Sequence, residues 1–250
     1  MSHYLLFRLY GPMATWGDIA VGEYRPTQAH PSRTAILGLL AAALGIRRDR
    51  EEELIGLDRS VRLAVRLDIP GELLRDYHTT QVAPAGKKLH YYTRSDETKS
   101  DKLHTILSQR DYRTDSGASI ALQTLDGDGS QLRAWQQALK NPTLPLFLGR
   151  KSCPLALPTD PIIVEADNLK VAFDSYPDCL QKLSELSRHS LPETEHFRYF
   201  WEGEDQGLNP QLTYPRRDRL LSRRRWQFAT RDEHQATYTR TPNNAPDKES

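Results

Sequence analysis

Ser60-Val61-Arg62-Leu63-Ala64-Val65-Arg66-Leu67-Asp68-Ile69 places Val61, Leu63, Val65, Leu67 and Ile69 at every second position. That period is the signature of a strand with one buried face, and Pro70-Gly71 turns the chain at its end. Upstream, Pro31-Ser32-Arg33-Thr34 opens a helix that runs through Leu37, Leu40, Ala41 and Leu44 to Gly45, bounded as helices usually are. Before it, Tyr4-Leu5-Leu6-Phe7-Arg8-Leu9-Tyr10 reads as a buried first strand closed by Gly11-Pro12. Downstream, Leu73 to Val82 has the pattern of a third, partly exposed strand. Strand pattern resumes at Ser119 to Leu125, a helix follows over Ser130 to Leu139, and a short strand covers Pro161 to Glu165. The helix turns Leu132, Trp135, Gln136 and Leu139 inward. Strand, helix, strand, strand, helix, strand is an α+β order, and it predicts a ferredoxin-like or RRM-like palm over residues 1–165.

Residues 83–118 interrupt that order. They are polar, charged and aromatic, with little apolar periodicity beyond Leu103, Ile106 and Leu107. A stretch of that length inside a domain is expected to be a functional projection, here an inserted thumb. Residues 166–240 form a smaller, β-rich C-terminal extension, and 241–250, without apolar content, are expected to be a disordered tail.

The composition narrows the classes. A chain of 250 residues with 38% hydrophobic and 27% charged residues has enough apolar content for a core. Net charge is only +1, so bulk electrostatic binding of a polyanion is excluded and local patches carry any such contact. Cys153 and Cys179 give neither a disulfide framework nor metal-ligand spacing, which fits a reducing compartment. The N-terminus enters a strand directly, without a secretory pattern, and the apolar run from Ala35 to Ile46 is too short to span a bilayer. A cytoplasmic protein with no membrane contact is expected. Neither a metal-binding spacing nor a nucleotide-binding glycine frame occurs, so neither a metal nor a cofactor is expected.

Candidate binding residues cluster. Gly149-Arg150-Lys151-Ser152 follows the second helix inside an apolar run. Successive N–H groups in a glycine turn form an anion-binding concavity, and Arg150 and Lys151 add charge and donors. The thumb interleaves cations with aromatic rings: Lys87, Lys88, His90, Tyr91, Tyr92, Arg94, then Arg110, Tyr112 and Arg113. Single-stranded RNA is held by that mixture, since bases stack on aromatic faces while cations meet phosphates. A solvated hairpin is the alternative, because Asp96, Glu97, Asp101 and Asp111 lie among the cations.

At the first helix, Ser32, Arg33 and Thr34 offer free N–H groups suited to a phosphate, with Arg25 as a partner, or Ser32 simply caps the helix. Arg216, Arg217, Arg219, Arg223, Arg224 and Arg225 crowd a short stretch ending at Trp226. On a strand, alternate members face opposite ways, so only some can meet one ligand. Trp16 suits base stacking or a packed interface. Phe197, Tyr199, Phe200 and Trp201 suit a buried or interfacial strand.

Several ordered stretches together resemble the CasD family of type I-E Cascade. They are Tyr4–Tyr10 with Gly11-Pro12-Met13-Ala14-Thr15-Trp16-Gly17, Arg25-Pro26-Thr27, and Pro31-Ser32-Arg33-Thr34 leading into Leu37-Gly38-Leu39-Leu40 and Ala43-Leu44-Gly45-Ile46. Leu148 to Pro154 resembles the family's glycine-rich loop, and Pro215-Arg216-Arg217-Asp218 to Arg223-Arg224-Arg225-Trp226 its basic C-terminal segment. The resemblance implies a noncatalytic RNA-binding subunit of the RAMP superfamily, present as one copy in a hetero-oligomeric CRISPR surveillance complex. It implies that the protein holds the crRNA 5′ handle and caps the backbone filament. Its partners would be the neighbouring backbone subunit and the large PAM-reading subunit. It makes Arg25, Arg33, Thr34, Lys87, Lys88, Tyr91, Arg110, Arg113, Gly149, Arg150, Lys151, Ser152, Arg216, Arg217 and Arg224 the expected RNA-binding residues.

Two other classes compete. A metal-independent endoribonuclease acting on CRISPR precursor RNA would need a base for the 2′-hydroxyl and an acid or cation for the phosphate. His78, His90, Tyr91, Lys87 and Lys88 supply those groups, but the resemblance assigns the cut to a separate subunit. A pure protein scaffold would have no use for phosphate-compatible groups at Arg25, Arg33 and Gly149–Ser152.

Overall fold

Ser32 and Gly45 show how local chemistry fixes the first helix in the structure, a computed structural model that describes residues 1–84, 90–99, 101–125, 129–186 and 195–240. The Ser32 hydroxyl accepts the N–H of Ala35, and Gly45, at φ 76°, closes the other end by donating back to Ala41 and Ala42. Along the chain come β1 (Ser2–Ala14), β2 (Tyr24–Arg25), α1 (Arg33–Leu44), α2 (Glu51–Ser60) and β3 (Val61–Ile69). Next are β4 (Glu72–Val82), α3 (Arg94–Thr98), β5 (His104–Thr124), α4 (Gly129–Lys140) and β6 (Ile162–Ala166). The chain continues with α5 (Leu169–Asp174), α6 (Cys179–Leu186), β7 (His196–Trp201), β8 (Leu212–Ser222) and β9 (Gln227–Thr239).

The class is α+β, as the element order predicts. The main sheet runs β6-β1-β5-β3-β7-β9-β8, with β2 and β4 attached to β5. Every neighbouring pair along that path is antiparallel. β7 pairs with β3, Ala64 opposite Trp201, so the strands after residue 166 continue the sheet of the first half.

Both faces of the central strands are covered. Leu5, Phe7 and Leu9 pack with α1 and α4 in one core, while Tyr4 and Leu6 join Phe173, Tyr199 and Trp201 in another. This changes the reading of β3. Its odd positions are apolar as expected, but Ala64, Arg66 and Asp68 are buried too, under α5 and α6. Arg66 bonds Asp68 at 2.7 Å and the Ser119 hydroxyl at 3.1 Å, and it stacks on Phe197 at 4.9 Å. A buried charge is tolerated there because it is fully partnered.

Three boundaries differ from the sequence pattern. β1 passes through Gly11-Pro12 instead of stopping there. Its outer neighbour β6 pairs only with Ser2 to Leu6, so the missing N–H of Pro12 costs no ladder bond. β5 begins at His104, not Ser119, and pairs with β4 from Val82 opposite His104 to Glu72 opposite Thr114. β4, expected as a partly exposed strand over Leu73 to Val82, and the first part of β5, which lies within the expected insertion, thus form a two-stranded arm. His104 to Arg110 carries little apolar period because it is exposed along most of its length. α2 is unforeseen, since its stripe is weak, yet Glu51, Glu52 and Glu53 suit its first turn.

Candidate nucleic-acid interface

The Gly149 turn is built by backbone geometry. Leu148 N–H donates to Cys153 at 2.7 Å and Cys153 N–H to Arg150 at 2.9 Å, closing a tight turn. Thr15 N–H donates to Leu148 at 2.9 Å and so docks the turn on the end of β1. Gly149 has φ 93°, and a Cβ there would lie 1.9 Å from the Thr15 carbonyl oxygen. Only glycine fits. Among the described residues, no hydrogen bond within the chain engages the backbone N–H groups of Gly149, Arg150, Lys151 or Ser152. Free N–H groups in sequence form a concavity for an anion.

Arg150 is more than a surface cation. Its guanidinium lies 4.7 Å from the Tyr112 ring centroid and donates to the carbonyls of Asp111 and Arg25, each at 3.2 Å. It ties the turn to the root of the β4–β5 arm. β2 pairs in parallel with β5, Arg25 beside Arg110. The alternation of β5 puts Arg110 and Tyr112 on one face, so Arg25, Arg110 and Arg150 gather there. Among the described residues, no carboxylate pairs with any of them or with Lys151. The opposite face of the arm is neutralised: Asp111 holds Arg75 at 2.9 Å and the Tyr24 hydroxyl at 2.5 Å. The Arg75 bond holds the Asp111 carboxyl below the usual carboxylate range. Arg113 belongs to that second face, so the two arm arginines expected to act together are separated.

Lys151 and Ser152 are exposed, and Tyr91 is half-buried. Thr34 is half-buried, its hydroxyl 3.2 Å from that of Ser32. Lys87 and Lys88 lie outside the described residues, as does the tail from 241 to 250.

Two expected RNA ligands are corrected. Arg33 is 2% exposed, and its guanidinium is fully committed. It bonds Asp58 at 2.9 Å and Glu202 at 2.7 Å, and donates to the carbonyls of Asp58 and Val61. Its backbone N–H donates to Asp218 at 2.8 Å, so a carboxylate occupies the place expected for a phosphate. Arg216 is also buried, paired with Glu233 at 2.8 Å and with Asp218 at 3.4 Å. Alternation along β8 sends Arg216 and Asp218 inward and Arg217 and Arg219 outward. Arg217 donates to the Phe228 carbonyl at 3.1 Å, and Arg224 is exposed in the β8–β9 turn.

The buried charges form one network with Arg231, which bonds Asp218 at 2.7 Å and Glu233 at 2.6 Å. His30 stacks on Phe200 at 3.6 Å and meets Glu233 at 2.8 Å. Burial, aided by the Arg216 and Arg231 charges and opposed by Glu233, pushes His30 down to about 4. Its folded pKa is below its unfolded one, so its contribution is present above pH 6.5 and lost as pH falls towards 4. The loss expected is about 2 kcal/mol by pH 5 and about 3 kcal/mol below pH 4. Urea unfolding at pH 7.5, 6 and 5 measures it, and His30→Gln is expected to flatten the slope in that interval. An unchanged slope would mean that His30 does not carry the effect.

Among the described residues, no group of His, Cys, Asp and Glu side chains is arranged to hold a metal ion. No helix among them is long and apolar enough to cross a membrane.

A sheet-and-helix body with a projecting arm and unpaired cations at its root is the frame on which the family match falls. The chain belongs to the CRISPR-associated protein (Cas_Cas5) family, whose profile matches residues 4–233. It is 36% identical over 166 residues to the CRISPR system Cascade subunit CasD of Escherichia coli (strain K12), covering 63% of this chain and 70% of that protein. Among solved structures, a chain of a CRISPR RNA-guided surveillance complex shares the fold at TM-score 0.64 and 24% identity, with 94% of this chain and 90% of that one covered. A crystal structure of a Cas protein matches at TM-score 0.63 and 26% identity over 94% of each chain.

Proposed function

We propose that the protein is a noncatalytic subunit of a cytoplasmic CRISPR surveillance complex that grips the 5′ handle of the crRNA and caps the backbone filament. The observation that carries this is the gathering of Arg25, Arg110 and Arg150 beside the free N–H groups of Gly149–Ser152, with no carboxylate among the described residues within ion-pair distance of them. A phosphodiester supplies the missing negative charge, and the N–H row supplies directional donors. Membership of the family and likeness to a Cascade subunit support the same reading. The arm supports assembly with other subunits. Leu73, Leu74, Tyr77 and Ile106 are at least 43% exposed on it, and a two-stranded ribbon is marginal in water without a partner. The neighbouring backbone subunit and the large PAM-reading subunit are the partners proposed.

The test is retention of a labelled CRISPR repeat RNA by the assembled complex across a salt series, in EDTA. Arg110→Ala with Lys151→Ala removes two cations, and the log–log salt slope is expected to flatten by about 1.4, roughly 0.7 for each phosphate left without its cation. Arg113→Ala, on the other face, should leave the slope unchanged. An unaltered slope in the double variant would show that the turn is only structural. Specific cutting of the RNA by this chain alone would instead make it an endoribonuclease.

A further inference from the structure

Helix α1 turns one side away from the core, and a groove of about 720 Å³ runs along it. The floor is apolar, from Leu37, Ala41, Ile46 and Phe147 among others. The rim is cationic: Arg47, Arg48 and Arg223 border it, and Lys151 stands at the end where the groove meets the proposed RNA site at Gly149. Among the described residues no carboxylate pairs with any of these four. The acidic lining residue, Asp58, is 2% exposed and held by Arg33 at 2.9 Å, with Arg219 at 3.7 Å. Like charges converge at one end. Arg48 and Arg223 lie 5.8 and 4.1 Å from the ring centroid of Trp226, which is 60% exposed. Partial burial and the Arg48 charge push the Arg223 guanidinium below its usual range. The rim is therefore an uncompensated positive border around an apolar trough.

Gly38 stands at the middle of the exposed side of α1. Its φ is not positive, and a Cβ there would meet nothing within 4 Å. A glycine inside a helix costs about 1 kcal/mol relative to alanine. Among the described residues nothing packs against that position, whereas a body packing closely from outside would use it.

Resting on the reading that the protein is a subunit of an assembly, we infer that the α1 groove seats an α-helix of another subunit, with small apolar residues on its inner face and Asp or Glu along its flanks. Apolar side chains fill the floor, and the carboxylates pair with the cationic rim, which is the usual helix-in-groove arrangement. Packed helices lie about 8–10 Å apart, at the short end of that range where the facing residues are small, as Gly38 and Ala42 are. The 12 residues of α1 span about 18 Å, so about three turns of the incoming helix are engaged. An RNA strand fits less well, because the trough offers phosphates an apolar floor.

The experiment uses the full-length chain with each of the other purified subunits of its complex in turn, without RNA, alongside the RNA retention assay. Gly38→Trp projects into open space and should fold, yet weaken binding to one subunit by roughly tenfold or more, as filling the centre of an interface does. Gly38→Ala controls for helix stability and should raise the melting temperature slightly. Arg47→Glu with Arg48→Glu, both exposed, should weaken the same subunit and decides the matter if Gly38→Trp misfolds. Full affinity in the charge-reversed variant overturns the inference. So does loss of RNA retention with subunit binding intact, which would place a nucleic-acid strand in the groove. If Arg110→Ala with Lys151→Ala leaves the salt slope unchanged while the groove variants block assembly, the RNA reading fails and the docking surface stands.

Discussion

Arg33→Ala is expected to leave little folded protein. The change removes the guanidinium that satisfies Asp58 and Glu202 and the carbonyls of Asp58 and Val61. Asp58 retains Arg219 at 3.7 Å and the Leu220 N–H at 3.4 Å, and Glu202 retains Arg231 at 3.4 Å. Breaking one partner out of a buried ion pair costs about 3–5 kcal/mol, because the other charge stays desolvated. Domains are stable by only about 5–15 kcal/mol in total. Arg33→Lys is expected to rescue poorly, since an ammonium is a point charge without the planar five-donor fork. Urea unfolding and soluble yield measure the effect. A variant with the wild-type transition that has lost only RNA retention would return Arg33 to the ligand surface and sink the structural role.

Gly149→Ala is the second large effect. The alanine methyl would lie 1.9 Å from the Thr15 carbonyl oxygen, and the φ of 93° is strained for any side chain. Because the obstruction is backbone and belongs to the end of β1, it cannot swing aside. The turn must lift, losing the Thr15–Leu148 hydrogen bond and displacing Arg150 from Tyr112. Strain of this kind costs on the order of 1–3 kcal/mol, and RNA retention should fall with it. Gly38→Ala is the matched control, because the same methyl there meets nothing. Equal melting temperatures for the two alanine variants would mean that the turn accommodates a side chain and that Gly149 is dispensable.

Local chemistry made much of the architecture readable. Ser32 and Gly45 mark α1 because a cap and a left-handed turn act on the residues beside them. The alternation from Val61 to Ile69 marks β3 because one strand face always meets a core. Only the β4 half of the arm was legible, because a strand exposed on both sides, as β5 is over most of His104 to Arg110, has no reason to alternate. His104 to Arg110 therefore resembled a loop, though it is the distal part of the longest strand. α2 escaped for a similar reason: its buried positions are Leu57 and Asp58, too few to make a stripe.

The candidate site was half legible. Gly149 announced a turn that only glycine could make, and Arg110, Arg150 and Lys151 carried the right charge. That Arg113 faces away from Arg110 follows from strand parity once β5 is known to begin at His104.

By itself the sequence determined the α+β class and the strands and helices with a clear apolar stripe, β1, α1, β3, β4 and α4, because these follow from interactions within a few residues. Only the tertiary structure decided which arginines are free. Arg33 finds Asp58 at a separation of 25 residues, Glu202 at 169 and Asp218 at 185. Arg216 turns inward to Glu233 while Arg217 beside it turns out. A charge is available to a ligand only when no opposite charge has been folded against it, and that pairing is set by segments far apart in the chain.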